Sequence, residues 1–404
     1  MNVNEYVAET VPIHELPFAG RAFVAMASRI KVGSFTLIDP QGRAMLFGQQ
    51  GQWPHAQLQI HDWRAASMIM RQGDVGFAEC YRRQWVDSPD LLSLFRLAMS
   101  NESAVAAVQG TWWGLLFKRL VHWVLRDNNR KGSRRNILAH YDLGNSFYRL
   151  WLDPSMSYSS ALFENGMDGD LLAAQHAKYD RLLDAVGAKP GEHILEIGCG
   201  WGGLAERAAL RGIKVCGITL SDEQLAWAQQ RMTDQGLDDR VSLSICDYRD
   251  VQGQFDHIVS IEMFEAVGLR HWPTFFEVLK RCLKPGGRAA IQTIDIADDH
   301  FDTYVNSTDF IQQYIFPGGM LPSPARFEAL SDRAQLRVVD SFSFGLHYAE
   351  TLARWLQSFE AELAAVRELG FDESFVRIWR MYLAYCEAGF REQRTDVKQW
   401  LLTN

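Results

Sequence analysis

Two carboxylates three residues apart, Glu262 and Glu265, follow an apolar run in Ser260-Ile-Glu-Met-Phe-Glu-Ala-Val-Gly268. Burial raises the pKa of a carboxylate, so such a pair at a strand end suits base chemistry. A second cluster lies upstream. The apolar stretch 193–197 carries Glu196 and runs into Gly198, Gly200, Gly202 and Gly203, four glycines in six residues, before a helical stretch at 204–210. Glycines there let a ligand lie against backbone N–H groups at a helix N-terminus. Glu196 would repel a phosphate but suits a cation. After the next apolar run, Thr219, Ser221 and Gln224 offer polar groups to a ribose, or Ser221 is simply a helix N-cap. Then Cys246-Asp-Tyr-Arg249 places Asp247 to bond an adenine amino group and Tyr248 to stack on it, unless the triplet is a plain loop.

The elements that must position these groups alternate between strand and helix. Short apolar strands are expected at 193–197, 215–219, 241–246, 255–261 and 288–293, with helices at 222–235 and 272–282 between them. That pattern predicts a doubly wound parallel sheet, which binds ligands at the carboxyl ends of its strands. Residues 349–400 are expected to return to helix, at 349–369 and 374–391. At the other end, residues 1–125 lack a glycine loop. They carry a hairpin signal around Asp39-Pro-Gln-Gly42, a helix from His61 broken at Gly73-Asp-Val-Gly76, and an amphipathic helix at 90–99, and so form a small α/β domain.

Between the two parts lies a connector in which Trp112, Trp113, Phe117 and Trp123 sit beside seven basic residues, Lys118, Arg119, Arg126, Arg130, Lys131, Arg134 and Arg135. Aromatic and basic side chains together suit an interfacial membrane segment. A packed helix with a solvated basic linker is the alternative. The expected organisation is 1–125 for the N-terminal domain, 126–136 for the linker and 137–404 for the catalytic domain. Among 404 residues, a net charge of −8 argues against a nucleic-acid partner. The six cysteines are scattered without a CxxC pair, as in a reduced protein with no metal site. No signal peptide or membrane-spanning run is visible, so a cytoplasmic chain with peripheral contact to the inner membrane face is expected. An apolar insertion, Phe310-Ile-Gln-Gln-Tyr-Ile-Phe-Pro-Gly-Gly-Met-Leu-Pro-Ser323, either lines a hydrocarbon tunnel or is packing.

In order along 137–392, His140-Tyr-Asp-x-Gly-Asn145, Tyr158-Ser159, Glu196-Ile-Gly-Cys-Gly-Trp-Gly-Gly203, Gly217-Ile-Thr-Leu-Ser-x-Glu-Gln224, Asp247-Tyr-Arg249, Met263-Phe-Glu-x-Val-Gly268, Ile315-Phe-Pro-Gly-Gly319 and Leu321-Pro-Ser323 resemble the cyclopropane-fatty-acyl-phospholipid synthase family, which includes the mycolic acid cyclopropane synthases. The resemblance implies a Rossmann-like class I S-adenosylmethionine (SAM) methyltransferase domain with helical insertions, and an N-terminal domain that presents lipid. It implies methyl transfer to the cis double bond of an unsaturated membrane phospholipid through a carbocation, and it admits a homodimer. The implied SAM contacts are Tyr158, Ser159, Gly198, Gly200, Thr219, Leu220, Gln224, Asp247, Tyr248 and Ile261.

In that family a bound bicarbonate removes the proton, held by a cysteine, a glutamate, a histidine, an isoleucine backbone and a tyrosine. Glu265, Ile294 and Tyr348 match, whereas Ser160 stands at the cysteine position and Gln292 at the histidine position. Glu262 stands where glycine is usual, and Ala266 where histidine is usual. Two adjacent anions without a cation are costly, so Glu262 is expected to act as the base in place of bicarbonate. Tyr348, Phe264 and Tyr314 are candidate aromatic stabilisers of the cation. Proton loss from the new methyl closes a cyclopropane, and loss from the chain gives a methylene- or methyl-branched product, toward which Glu262 and Gln292 lean. The rival readings are a methyltransferase of a soluble small molecule and a catalytically silent lipid-binding relative.

Overall fold

The large sheet follows from the apolar runs. Strands β5 (His193–Ile197), β6 (Lys214–Thr219), β7 (Val241–Ile245), β8 (Phe255–Ile261) and β9 (Leu283–Ile296) pair in parallel, in the order β9-β8-β5-β6-β7. The computed structural model describes residues 12–102 and 143–404. β5 lies at the centre with Ile194, Leu195 and Ile197 at most 1% exposed. A strand covered on both faces must be apolar almost throughout. The helix Leu171–Val186 leads into β5. Asp170 caps it by accepting from the N–H of Ala173 at 2.8 Å, and Gly187, at φ +75°, stops it.

The C-terminal end departs from expectation. Residues 349–400 are not all helical. After helices Gly345–Ala361, Leu363–Glu368 and Glu373–Arg391, the chain turns back as strand β11 (Thr395–Thr403). β11 inserts antiparallel between β9 and β10 (Arg337–Ser343). Val397, Gln399, Trp400 and Leu402 are its buried residues, a spacing nearer two than four. The register sets Gln399 opposite Gln292 of β9.

The N-terminal part is built on a second sheet of β1 (Ser34–Ile38), β2 (Ala44–Gly48), β3 (His55–Ile60) and β4 (Val86–Asp87), in the order β2-β1-β3-β4. The expected hairpin is β1–β2. The helix Arg64–Arg82 bends at Gly73 (φ 58°, ψ −131°), where the sequence signals a break. This part docks on the helix Glu373–Arg391. Arg377 donates to the carbonyls of Tyr81 and Val86, and Arg96 pairs with Glu392 at 2.6 Å. The expected linker at 126–136 and the basic aromatic connector lie outside the described residues, as do His140, Tyr141 and Asp142. Among the described residues no helix is long and apolar enough to cross a membrane.

The bend at Gly73 also delivers a buried carboxylate. Asp74 accepts from the N–H of Phe310, the first residue of the apolar insertion, at 2.9 Å. Burial and the nearby Asp74 push Asp309 up to about 7. A carboxyl whose folded pKa lies above its unfolded value stabilises most when protonated. That stability is lost as pH rises from the ordinary 3.8 through about 7. Asp309→Asn removes the charge and keeps an acceptor for the Gln312 N–H. The variant should therefore gain stability over the parent between pH 5 and pH 8, by about 1 kcal/mol or more, or ~2 °C in Tm. Paired thermal melts at both values check this, and a pH-independent difference would refute it.

Candidate active site

Glu262 sits just past β8 with φ +49°, the left-handed region that favours glycine. A non-glycine residue there costs ~1–2 kcal/mol, and such strain collects at functional sites. The carboxylate explains what the conformation achieves. Its Oε1 accepts from the Ser160 backbone N–H at 2.9 Å and from Gln292 Nε2 at 2.8 Å, and its Oε2 accepts from the Tyr348 hydroxyl at 2.7 Å. Gln292 is oriented in turn, since its Oε1 accepts from Gln399 Nε2 at 3.0 Å. Three of the groups that the resemblance gave to bicarbonate thus end on a protein carboxylate. The fourth, the Ile294 N–H, donates to Glu265 Oε1 at 2.5 Å. Ser160 acts through its backbone, because its hydroxyl bonds the carbonyl of Ala161.

The electrostatics are those of an enclosed acid pair. Burial raises Glu262, while Lys178, Tyr348, Ser160 and Gln292 pull it back. Glu265 has fewer partners, its Oε2 is buried without one, and burial with the Glu262 charge pushes it up to about 8. At neutral pH Glu265 is therefore largely protonated, while the three donors that converge on Glu262 favour its ionised form. Lys178, which the sequence reading missed, is fully buried on the helix Leu171–Val186. Its position in the apolar stripe, four residues from both Ala174 and Leu182, was the available signal.

The aromatic expectations divide. Tyr348 stacks on Phe390 with ring centroids 4.6 Å apart, beside Glu262. Phe264 does not face the site, because it is fully buried among Trp272, Phe275, Phe276 and Phe327. Tyr314 also points elsewhere, toward Glu79 of the N-terminal part. The insertion does cover this edge. The Met320 N–H donates to the carbonyl of Glu265 at 2.9 Å, and Phe316 stacks on Tyr158.

The glycine turn is a cradle that side chains would fill. Gly198 has φ +87°, and a Cβ there would meet Met263 Cγ at 2.9 Å. A Cβ at Gly203 would meet the Tyr179 hydroxyl at 2.7 Å. Trp201 Nε1 donates to Asn145 Oδ1 at 2.7 Å, tying the turn to the end of the His140–Asn145 motif. Glu196 is enclosed behind the turn, its Oε2 unpartnered, and burial raises it well above the carboxylate range. Thr219 donates to Gln224 Oε1 at 3.0 Å, and Ser221 is indeed the N-cap. Leu220 and Ile261 are partly buried at their strand ends. Asp247 is held by Arg249 at 2.6 Å, and Tyr248 packs edge-on against Phe275. Tyr158 bonds the Tyr382 hydroxyl at 2.7 Å, and Ser159 accepts from Lys178.

The strand order β10-β11-β9-β8-β5-β6-β7 with a glycine turn after β5 defines a class I SAM-dependent methyltransferase. Its glycine cradle and orphaned buried acid fit a cationic nucleoside cofactor. Residues 128–400 match the family described as mycolic acid cyclopropane synthetase. The chain is 41% identical over 354 residues to the tuberculostearic acid methyltransferase UfaA1 of Mycobacterium tuberculosis, covering 83% of this chain and 80% of that one. It is 34% identical over 343 residues to the cyclopropane-fatty-acyl-phospholipid synthase of Escherichia coli, covering 82% and 83%. Among solved structures, the mycolic acid cyclopropane synthase CmaA1 complexed with SAH and CTAB superposes with a TM-score of 0.63 at 31% identity, over 67% of this chain and 98% of that one. The chain belongs to the mycolic acid cyclopropane synthetase family, and it is a SAM-dependent methyltransferase acting on fatty acyl chains.

Proposed function

We propose that the enzyme methylates the cis double bond of an unsaturated phospholipid acyl chain and that Glu262 takes the proton released. The observation that carries this reading is the convergence of the Ser160 N–H, Gln292 and Tyr348 on the Glu262 carboxylate. Those donors leave little anion-binding capacity for bicarbonate, and the strained backbone of Glu262 is the cost of putting the carboxylate there.

SAM supplies an electrophilic methyl group. The π pair of the alkene would form the new C–C bond as the methyl's bond to the sulfonium sulfur breaks and the neutral thioether leaves, so that the neighbouring chain carbon would become cationic. The ionised Glu262 stabilises that charge, and the Tyr348 ring beside it offers its π face. Proton loss from the new methyl with ring closure gives a cyclopropane. A hydride shift that moves the charge to the methyl-bearing carbon, then proton loss from that methyl, gives an exocyclic methylene, and loss from the chain gives a branched alkene. The branched outcome is favoured here by the replacement of bicarbonate and by the likeness to a relative named for tuberculostearic acid. The candidate cofactor contacts are those around the glycine turn, with Tyr158 and Ser159 at the methionine end.

Proton NMR of phospholipid vesicles incubated with enzyme and SAM tests the reading. Alkenic signals should give way to exocyclic methylene or branched-alkene signals. Upfield cyclopropane signals would overturn the product assignment, and methylation confined to soluble acceptors would overturn the lipid substrate.

Membrane contact is part of the same reading, with the basic aromatic stretch at 112–135 as its instrument. Reversing four of its charges should weaken binding to anionic vesicles at least tenfold, at ~1 kcal/mol per basic residue. Sedimentation with vesicles measures it, and full retention of binding would refute the assignment.

A further inference from the structure

We propose that Lys178 is a positioning residue of the reaction, fixing the Ser159–Ser160 backbone against Glu262 and supplying the counter-charge that keeps Glu262 ionised. This inference rests on Glu262 being the base. Lys178 is fully buried, and burial of an ammonium without a partner charge is costly. Its Nζ donates to Ser159 Oγ at 2.5 Å and to Gln175 Oε1 at 2.6 Å. Both acceptors are neutral. Gln175 Nε2 in turn donates to the Ser159 carbonyl at 3.0 Å, so Ser159 is held from side chain and backbone at once. The next N–H in the chain, that of Ser160, is the one donated to Glu262. A cation, an amide and a pinned dipeptide therefore form a continuous strut ending on the carboxylate.

Of the carboxylates that act on this charge, Glu262 is the one the strut ends on. Burial lowers Lys178 to about 8, and the charges that oppose this are Glu262 and Asp153. At neutral pH it therefore remains mostly protonated. The groups that act on Glu262 are Lys178 from the helix Leu171–Val186, Tyr348 from the helix Gly345–Ala361, Glu265 from its own turn, and the uncharged Ser160 and Gln292. Lys178 is the cation of that set.

The test is the pH profile of kcat at saturating SAM and lipid for Lys178→Gln, Lys178→Met and Lys178→Arg. Glutamine keeps a donor for Ser159 and loses the charge, methionine loses both, and arginine keeps the charge. Without the cation Glu262 protonates more readily, so the acid limb should move up by about one pH unit in the first two variants. Below the limb this is about a tenfold loss, recovered at higher pH. The arginine variant need not pack perfectly: its limb should stay near the parent position whatever its maximal rate. A uniform loss with an unmoved limb, or no loss, would overturn the counter-charge. Should the methionine variant fail to fold, the glutamine and arginine variants decide. Glu262→Gln separates the two claims. If it retains turnover, the base assignment falls. If it is inactive and the Lys178→Gln limb has not moved, the Lys178 inference alone falls.

Discussion

Glu262→Gln should lower kcat for lipid methylation by a factor on the order of 10²–10⁴, the usual contribution of a positioned general base. The amide matches the carboxylate in size and inherits the same backbone at φ +49°. It cannot accept a proton at neutral pH. It also turns an NH₂ group toward a site built from donors, since the Ser160 N–H, Gln292 Nε2 and the Tyr348 hydroxyl all point inward. The Tyr348 hydroxyl can turn to accept from that NH₂ while the amide oxygen keeps the Ser160 and Gln292 contacts, so the loss is chiefly that of the base. SAM affinity should change little, because none of these groups belongs to the glycine turn. Turnover assays alongside calorimetric SAM binding separate the two effects. Added bicarbonate should not restore the variant, and bicarbonate-dependent turnover at the parent rate would dismiss Glu262 as the base.

The second large effect concerns Glu196. This acid is almost wholly buried, its Oε2 has no partner, and desolvation raises it far above an exposed carboxylate. A cation arriving at the glycine turn favours the ionised form, so SAM binding should release a proton. Affinity should then rise with pH until the free acid is itself ionised, because a ligand that lowers a pKa binds more tightly as protons are withdrawn. Glu196→Gln should weaken SAM binding by roughly 10- to 100-fold, the range for a lost charged hydrogen bond. It should also abolish the proton release, seen as a binding enthalpy that no longer varies with the ionisation enthalpy of the buffer. Parent-like affinity and an unchanged buffer dependence would show that Glu196 is a structural acid only.

Much of the site was legible because its chemistry is local in the chain. The parallel strands announce themselves as apolar runs, and the glycines, Thr219, Gln224, Asp247 and the Glu262–Glu265 pair fall at their carboxyl ends by topology alone. What escaped depends on tertiary placement. Lys178 reads as one more residue of an amphipathic helix until the helix is laid against β9 and β11. Gln399 lies past the expected helix 374–391 in a stretch with no strand assigned to it, and only its pairing with β9 makes Thr395–Thr403 a strand. The left-handed backbone of Glu262 has no sequence signature beyond its standing where glycine is usual. Phe264 illustrates the converse error. It adjoins the acid pair in sequence, yet the 3₁₀ turn Phe264–Ala266 sends its ring into the core under the helix Trp272–Cys282.

Turnover of the unaltered enzyme in rigorously bicarbonate-free buffer addresses the central claim most directly. With the carboxylate of Glu262 filling the anion site, methylation of vesicle lipid should proceed at the same rate before and after bicarbonate is stripped and then restored. A rate that collapses on stripping and recovers on readdition would contradict the account.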